Sequence, residues 1–158
     1  MALLAIAASF VAPRMTDFFR GRALSLEAQR LLSLTHYGQS RAAAEGVPVV
    51  LWIDTTKATY GLSLQAGYTE TDDRAVTYQA EPTLSLEVPQ GEPAAQSELG
   101  DEKLGLAEGL SAIRFLPDGD IDDGSVARVV IRQGTEAALQ VTLMTNRMGY
   151  EIRPYTAP

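Results

Sequence analysis

The chain has 158 residues, 46% of them apolar and 21% charged, with a net charge of −7 and no cysteine. Its length suits one domain, able to remove roughly 68–70% of its unfolded surface from water, and its apolar content excludes a wholly disordered or collagenous protein. The absence of thiols excludes disulfides, Cys-ligated zinc and a Cys nucleophile, and the acidity argues against a general nucleic-acid coat.

The charge is unevenly distributed. Up to Glu45 the chain carries Arg14, Arg20, Arg22, Arg30 and Arg41 against Asp17, Glu27 and Glu45, a balance of +2, so the remainder carries −9. Met1 to Val11 is apolar except for Ser9, and Pro13 and Arg14 follow. A membrane-crossing helix needs about 20 apolar residues, so this run is roughly half a span. Four readings stand: a signal-peptide core without its basic n-region, a core helix, an amphipathic start, or the second half of a longer anchor. Arg14, Arg20 and Arg22 on its C-terminal flank favour a cytoplasmic side by the positive-inside rule.

From Arg14 to Glu45 the pattern is helical. Leu24, Ala28, Leu31, Thr35, Gly38 and Ala42 recur every three or four residues on one narrow face, which Leu34 and Tyr37 widen. The small residues Gly38, Ala42 and Ala43 invite close approach by a neighbouring backbone or sheet. Pro13 either opens this helix or kinks a longer one. Gly46 reads as its C′ stop, with Pro48 just beyond. A continuous helix from Met1 to Glu45 would be about 68 Å long, more than such a domain can bury.

Beyond Gly46 the period changes to two. Val47, Val49, Leu51 and Ile53 line one face of a strand while Val50 and Trp52 line the other, so both sides are expected to be covered. Tyr60, Leu62 and Leu64 form its hairpin partner. Val76 with Tyr78, and Leu84 with Leu86 and Val88, suggest two more strands. Residues 89–109 read as a long acidic loop. Four further strands follow, marked by Ile113 and Phe115; Ala127, Val129 and Ile131; Leu139, Val141 and Leu143; and Tyr150 and Ile152. The expected class is α+β, a long N-terminal helix (1–46) packed on an antiparallel β head (47–158).

The chemistry-bearing residues are sparse. His36, the only histidine, sits mid-helix between Thr35 and Tyr37 and reads as a surface or core-edge side chain. A Ser-His-Asp triad would have to recruit that same residue, and no serine lies in a nucleophile-elbow pattern. Asp118, Asp120, Asp122 and Asp123 have the alternation of a calcium loop, but Asp123 stands where the EF-hand needs its glycine and Val129 where it needs its closing Glu. Gly119 and Gly124 make a solvated turn the better reading. No catalytic residue, metal ligand or cofactor is assigned.

Three stretches together carry a family resemblance: Met1 to Ala8 through Pro13; Ser40-Arg41-Ala42-Ala43-Ala44-Glu45-Gly46-Val47-Pro48-Val49; and Ile113-Arg114-Phe115-Leu116-Pro117-Asp118-Gly119, with Gly124 and the closing strands to Ile152. In this order they resemble the type IV pilin-like proteins, and within them the H-type minor pseudopilins of type II secretion, the GspH/FimT family. The family's leader-peptidase signature, a Gly-Phe-Thr-like junction followed by Glu, is expected about ten residues ahead of Met1, judged from the distance to Pro13.

The resemblance implies a non-enzymatic subunit of a pseudopilus that helps export folded proteins across the outer membrane of a Gram-negative bacterium. It would be processed and methylated at its N-terminus, anchored in the inner membrane, and would carry its head in the periplasm. Its partners would be other pseudopilins, the major and tip minor subunits, and exported substrate. Helix-bundle contact would fall on Leu3, Leu4, Ile6, Phe10, Val11, Pro13, Met15, Phe18 and Phe19; Phe18 and Phe19 could equally pack on the protein's own sheet.

Two alternatives belong to other classes. One is a pilus-associated DNA-uptake protein, with contact at Arg147 and Arg153 and Arg128 and Arg132 nearby, although four arginines in a −9 head are a thin basis for phosphate affinity. The other is an unrelated secreted β-rich binding domain behind a clipped signal peptide.

Overall fold

In a computed structural model of the chain the described backbone comprises residues 2–89, 106–107, 109–135 and 137–156, with side chains from residue 21 onward. One helix, α1 (Ala2–Glu45), leads into eight strands: β1 (Val49–Asp54), β2 (Thr59–Leu64), β3 (Val76–Gln79), β4 (Leu84–Glu87), β5 (Ser111–Phe115), β6 (Arg128–Gln133), β7 (Ala137–Leu143) and β8 (Tyr150–Pro154). The fold is α+β, as the change of hydrophobic period at Gly46 implies. Pro13 lies within α1, so the first of its two expected roles, opening the helix, is not the one adopted. The expected acidic loop at 89–109 falls largely on residues 90–105 and 108, outside the described residues.

The strands form two antiparallel sheets, in the orders β3-β2-β1-β5 and β4-β6-β7-β8. In the first, the β1–β2 hairpin sets Leu51 opposite Leu62 and Ile53 opposite Tyr60. Asp54 closes it, its Oδ1 accepting from the backbone N–H of Thr56 and Lys57 and from the Thr56 hydroxyl. In the second, Val129 opposes Val141 and Ile131 opposes Leu139.

The helix rests against β1 and β5 of the first sheet and β6, β7 and β8 of the second. A single core results: Leu24, Ala28, Leu31 and Ala42 from α1 meet Leu51, Ile53, Leu62, Ile113 and Phe115 on one side and Val129, Ile131, Val141 and Tyr150 on the other. Burial of such aliphatic area at about 25 cal/mol per Å² is the main force holding helix to sheets. Tyr150 brings a hydroxyl into this core and satisfies it by donating to the carbonyl of Val126.

The termini of the elements follow from local chemistry. Gly46 adopts φ +69° and its N–H donates to the Ala42 carbonyl at 3.0 Å, the left-handed cap that ends α1. The outer edge of β5 is covered by the segment that follows it. Asp122 N–H donates to Arg114 O, Val126 N–H to Ala112 O, and Arg114 N–H to Ser125 Oγ. That arrangement removes an open strand edge on which another chain could pair.

Candidate assembly surface on the long helix

Two faces of α1 have opposite jobs, and the inner one holds more polar chemistry than its apolar spacing suggests. Glu27 sits one turn from both Leu24 and Leu31, so helical geometry carries it into the core, where it is 2% exposed. Both its oxygens are satisfied: the Tyr60 hydroxyl of β2 donates to Oε1, and Arg30 Nη1 donates to Oε2 at 3.2 Å. The Arg30 guanidinium lies 5.4 Å from the ring centre of Tyr78 on β3, and Tyr78 in turn stands 5.8 Å from the Tyr60 ring. Burial, together with the neighbouring carboxylate, pushes the Tyr60 hydroxyl well above its ordinary pKa, so it remains a donor.

Nearer its C-terminal end α1 is held from several sides. Gly38 lies so close to β5 and β2 that a Cβ would come 2.6 Å from Phe115 Cε2 and 2.9 Å from Leu62 Cδ1. Gln39 Nε2 donates to the carbonyls of Gly119 at 2.6 Å and Met148 at 3.1 Å, tying the helix to the loop after β5 and to the β7–β8 turn. Arg41 is buried and donates through both terminal nitrogens to Asp72 of the β2–β3 loop, and through Nε to Glu45 at 2.8 Å. Asp72 also accepts from the N–H of Leu64 at 2.7 Å and of Arg74 at 3.1 Å. Burial alone would raise the Asp72 pKa; the hydrogen bonds from Arg41 and those two backbone groups outweigh it and hold the carboxyl below the usual carboxylate range.

The outer face is different. Arg22, Leu26, Gln29, Ser33, Tyr37 and Ser40 are exposed in a row, and between Glu27 and Glu45 the helix has no carboxylate. Leu26 and Tyr37 are 52% and 44% exposed, two of the few large apolar side chains among the described residues that face outward. His36 lies on this face, a surface position as expected, whereas Tyr37, expected to widen the inner face, points outward.

The nine residues expected to make the helix bundle, Leu3, Leu4, Ile6, Phe10, Val11, Pro13, Met15, Phe18 and Phe19, belong to α1, but their side chains lie outside the described residues. Among the described residues no helix is both long and apolar enough to cross a membrane. The arginines of the DNA-uptake alternative are placed and partnered. Arg147 Nη2 lies 3.0 Å from Asp123, Arg153 pairs with Glu151, and Arg132 makes two bonds to Glu87 and stacks 5.4 Å from the Tyr155 ring. Phosphate would have to displace a carboxylate at each of these three.

Arg147 adopts φ 58° in the β7–β8 turn, a conformation that costs a residue with a Cβ about 1–2 kcal/mol. Its ion pair with Asp123, which is almost fully exposed, returns little of that. Arg147→Gly is therefore expected to raise the thermal midpoint by roughly 1–3 °C in a calorimetric scan. A fall in the midpoint would show that the pair outweighs the backbone strain.

The aspartates after β5 form a turn, with Asp118 Oδ1 accepting from the N–H of Asp120 at 3.1 Å and Gly119 at φ +92°. Among the described residues no group of three or more His, Asp or Glu side chains is gathered to hold a metal ion.

Sequence spacing located Gly38 as a point of close approach but missed Glu27, Gln39 and Arg41 as anchors. The signal for Glu27 was present: a carboxylate between Leu24, Ala28 and Leu31 must be either paired inside or turned out, and its position on the seam turns it in.

The family model for the type II transport protein GspH matches residues 27–149. That stretch begins at the buried glutamate and ends at the last turn before β8. No curated protein gives a match. Two solved structures of the minor pseudopilin EpsH from the type 2 secretion system of Vibrio cholerae share the fold at 14% identity. One has a TM-score of 0.54 over 84% of this chain and 95% of that one. The other has a TM-score of 0.59 over 87% and 98%. The helix-on-two-sheets architecture is thus common to this chain and to EpsH, and the family match spans most of the head and the helix half that it holds. The chain belongs to the GspH family of type II transport proteins.

Proposed function

We propose that this chain is a minor pseudopilin of type II secretion, a structural, non-enzymatic subunit that joins the pseudopilus through the N-terminal half of α1. Its partners are the other pseudopilins, the major subunit and the tip minor subunits, and the same helix half resides in the inner membrane before assembly. The head faces the periplasm, where it and the acidic segment after β4 meet neighbouring subunits or exported substrate.

One observation carries this reading. α1 is a single helix of 44 residues, about 66 Å long, which is more than a head of this size can bury along its length. The sequence ahead of Pro13 is apolar but for Ser9, a composition that is stable in lipid or among like helices and poorly suited to water. Leu3, Leu4, Ile6, Phe10, Val11, Pro13, Met15, Phe18 and Phe19 are the residues assigned to that contact.

The test is disruption of the helix half without touching the head. Leu4→Asp with Phe10→Asp should abolish recovery of the chain in crosslinked complexes with the other pseudopilins in secreting cells, and should reduce secretion. The thermal midpoint of the head should stay unchanged. Wild-type recovery of the double variant would overturn the assignment.

A further inference from the structure

The two ends of the head-bound helix are secured differently. Between Gly38 and Arg41, α1 is fixed by contacts to five separate places: Phe115 on β5, Leu62 on β2, the carbonyls of Gly119 and of Met148, and the Asp72 carboxylate. Between Leu24 and Leu34 the helix meets the sheets mainly through Leu24, Ala28, Leu31 and Leu34, aliphatic contacts that have no preferred direction. The directional contacts there from α1 to the strands centre on Tyr60, whose hydroxyl donates to Glu27 and is also approached by Arg30. Arg30 completes the carboxylate's partners from the same helix and lies over Tyr78, so the cluster spans α1, β2 and β3.

A buried carboxylate is a weak source of net stability, because its desolvation offsets most of what its partners return, and the best-attested use of a buried polar group is to select one arrangement among several of similar energy. Here the alternatives are easy to name. Pivoting about the Gly38–Arg41 end slides Leu24, Ala28 and Leu31 across an aliphatic surface at little cost, but takes Glu27 away from Tyr60 and leaves a buried carboxylate and a buried hydroxyl with fewer partners. The penalty for such a pivot falls on that bond and on the Arg30 contacts to Tyr60 and Tyr78 beside it.

We infer that Glu27 is a positioning residue: its bond to Tyr60 sets the angle at which α1 leaves the head. Its leverage is large. Arg22 lies about 24 Å along the helix from Gly38 and Ala2 about 54 Å, so a pivot of roughly 10° moves them about 4 Å and about 9 Å. The inference concerns the chain alone and stands whatever the helix half assembles with.

The chain has no cysteine, so site-directed spin labels can be placed in it without background. One pair, Arg22→Cys with Thr83→Cys, reports on the far end of the head-bound helix; a second, Ala44→Cys with Thr83→Cys, reports on the anchored end. All three positions are exposed. In Glu27→Leu with Tyr60→Phe, the distance distribution of the Arg22 pair should broaden or shift by about 4 Å while that of the Ala44 pair keeps its width. Glu27→Gln, which retains an acceptor for Tyr60, should leave both narrow. An unchanged Arg22 pair in the double variant overturns the inference, and so does equal broadening of both pairs, which would mean general loosening. Should the double variant fail to fold, Tyr60→Phe alone decides: its Arg22 pair must broaden, and a wild-type width there overturns the inference equally.

Discussion

Gly38→Leu is expected to be the most damaging single substitution in the head. A leucine side chain would have to begin at a Cβ already 2.6 Å from the Phe115 ring and 2.9 Å from Leu62, both buried in the core that α1 shares with β2 and β5. Either the helix lifts away from the first sheet or Phe115 leaves its site, and overpacking of this kind costs about 3 kcal/mol or more. Gly38→Ala tests the same contact more gently. It gains about 1 kcal/mol of helix propensity and loses more than that to the ring, so a small net destabilisation is expected. Urea midpoints at unchanged slope measure both. A Gly38→Leu protein with the wild-type midpoint would show that the helix is held further from the sheet than the geometry gives.

The second large effect is at Arg41. Arg41→Leu leaves Asp72 and Glu45 without the guanidinium that both face, while keeping most of the volume. Removing one member of a fully buried pair costs about 3–5 kcal/mol; Asp72 keeps 14% side-chain exposure and two backbone donors, so about 2–3 kcal/mol is expected. For a domain of this size that is a fall of roughly 5–10 °C in thermal midpoint.

The same variant has a pH signature. Because the folded Asp72 carboxyl sits below its unfolded value of about 3.9, it binds protons less readily when folded, and its contribution to stability is complete above about pH 4. It is lost as the pH falls through the lower, folded value. Arg41→Leu should flatten this acid-side decline and leave the profile near neutrality parallel to wild type. An acid profile as steep as the wild type would assign the decline to other carboxylates.

Much of this architecture could be read before any coordinates, for a physical reason. Alternation with period two is forced on any strand with an inner and an outer face, so Val49, Leu51 and Ile53 marked β1, and Leu139, Val141 and Leu143 marked β7. Gly46 marked the helix end because a left-handed cap admits glycine more readily than any residue with a Cβ. The division into two sheets was not legible, since the pattern of a strand says which side is buried and not which neighbour it pairs with. Glu27, Gln39 and Arg41 were missed for a related reason. Their partners Tyr60, Gly119, Met148 and Asp72 lie 31 to 109 residues away, and the residue types alone do not announce pairings over such distances. The assembly residues ahead of Arg20 were proposed from composition, where lipid and helix bundles ask for the same side chains.

The order of the strands has a consequence for how the head is made. Moving along the chain, β3 completes one hairpin unit of the first sheet, β4 starts the second, β5 returns to finish the first beside β1, and β6 to β8 finish the second. Val49 must wait for Phe115 before its outer side is paired, and the β5 edge then waits for residues 121–126. The two sheets are interleaved along the chain and share one core with the helix, so the head should form and come apart in one step, slowly in the forward direction because its pairings are distant in sequence. A domain built this way has no half that can be pulled loose on its own, and a tug on the helix reaches both sheets at once, through β1 and β5 on one side and β6, β7 and β8 on the other.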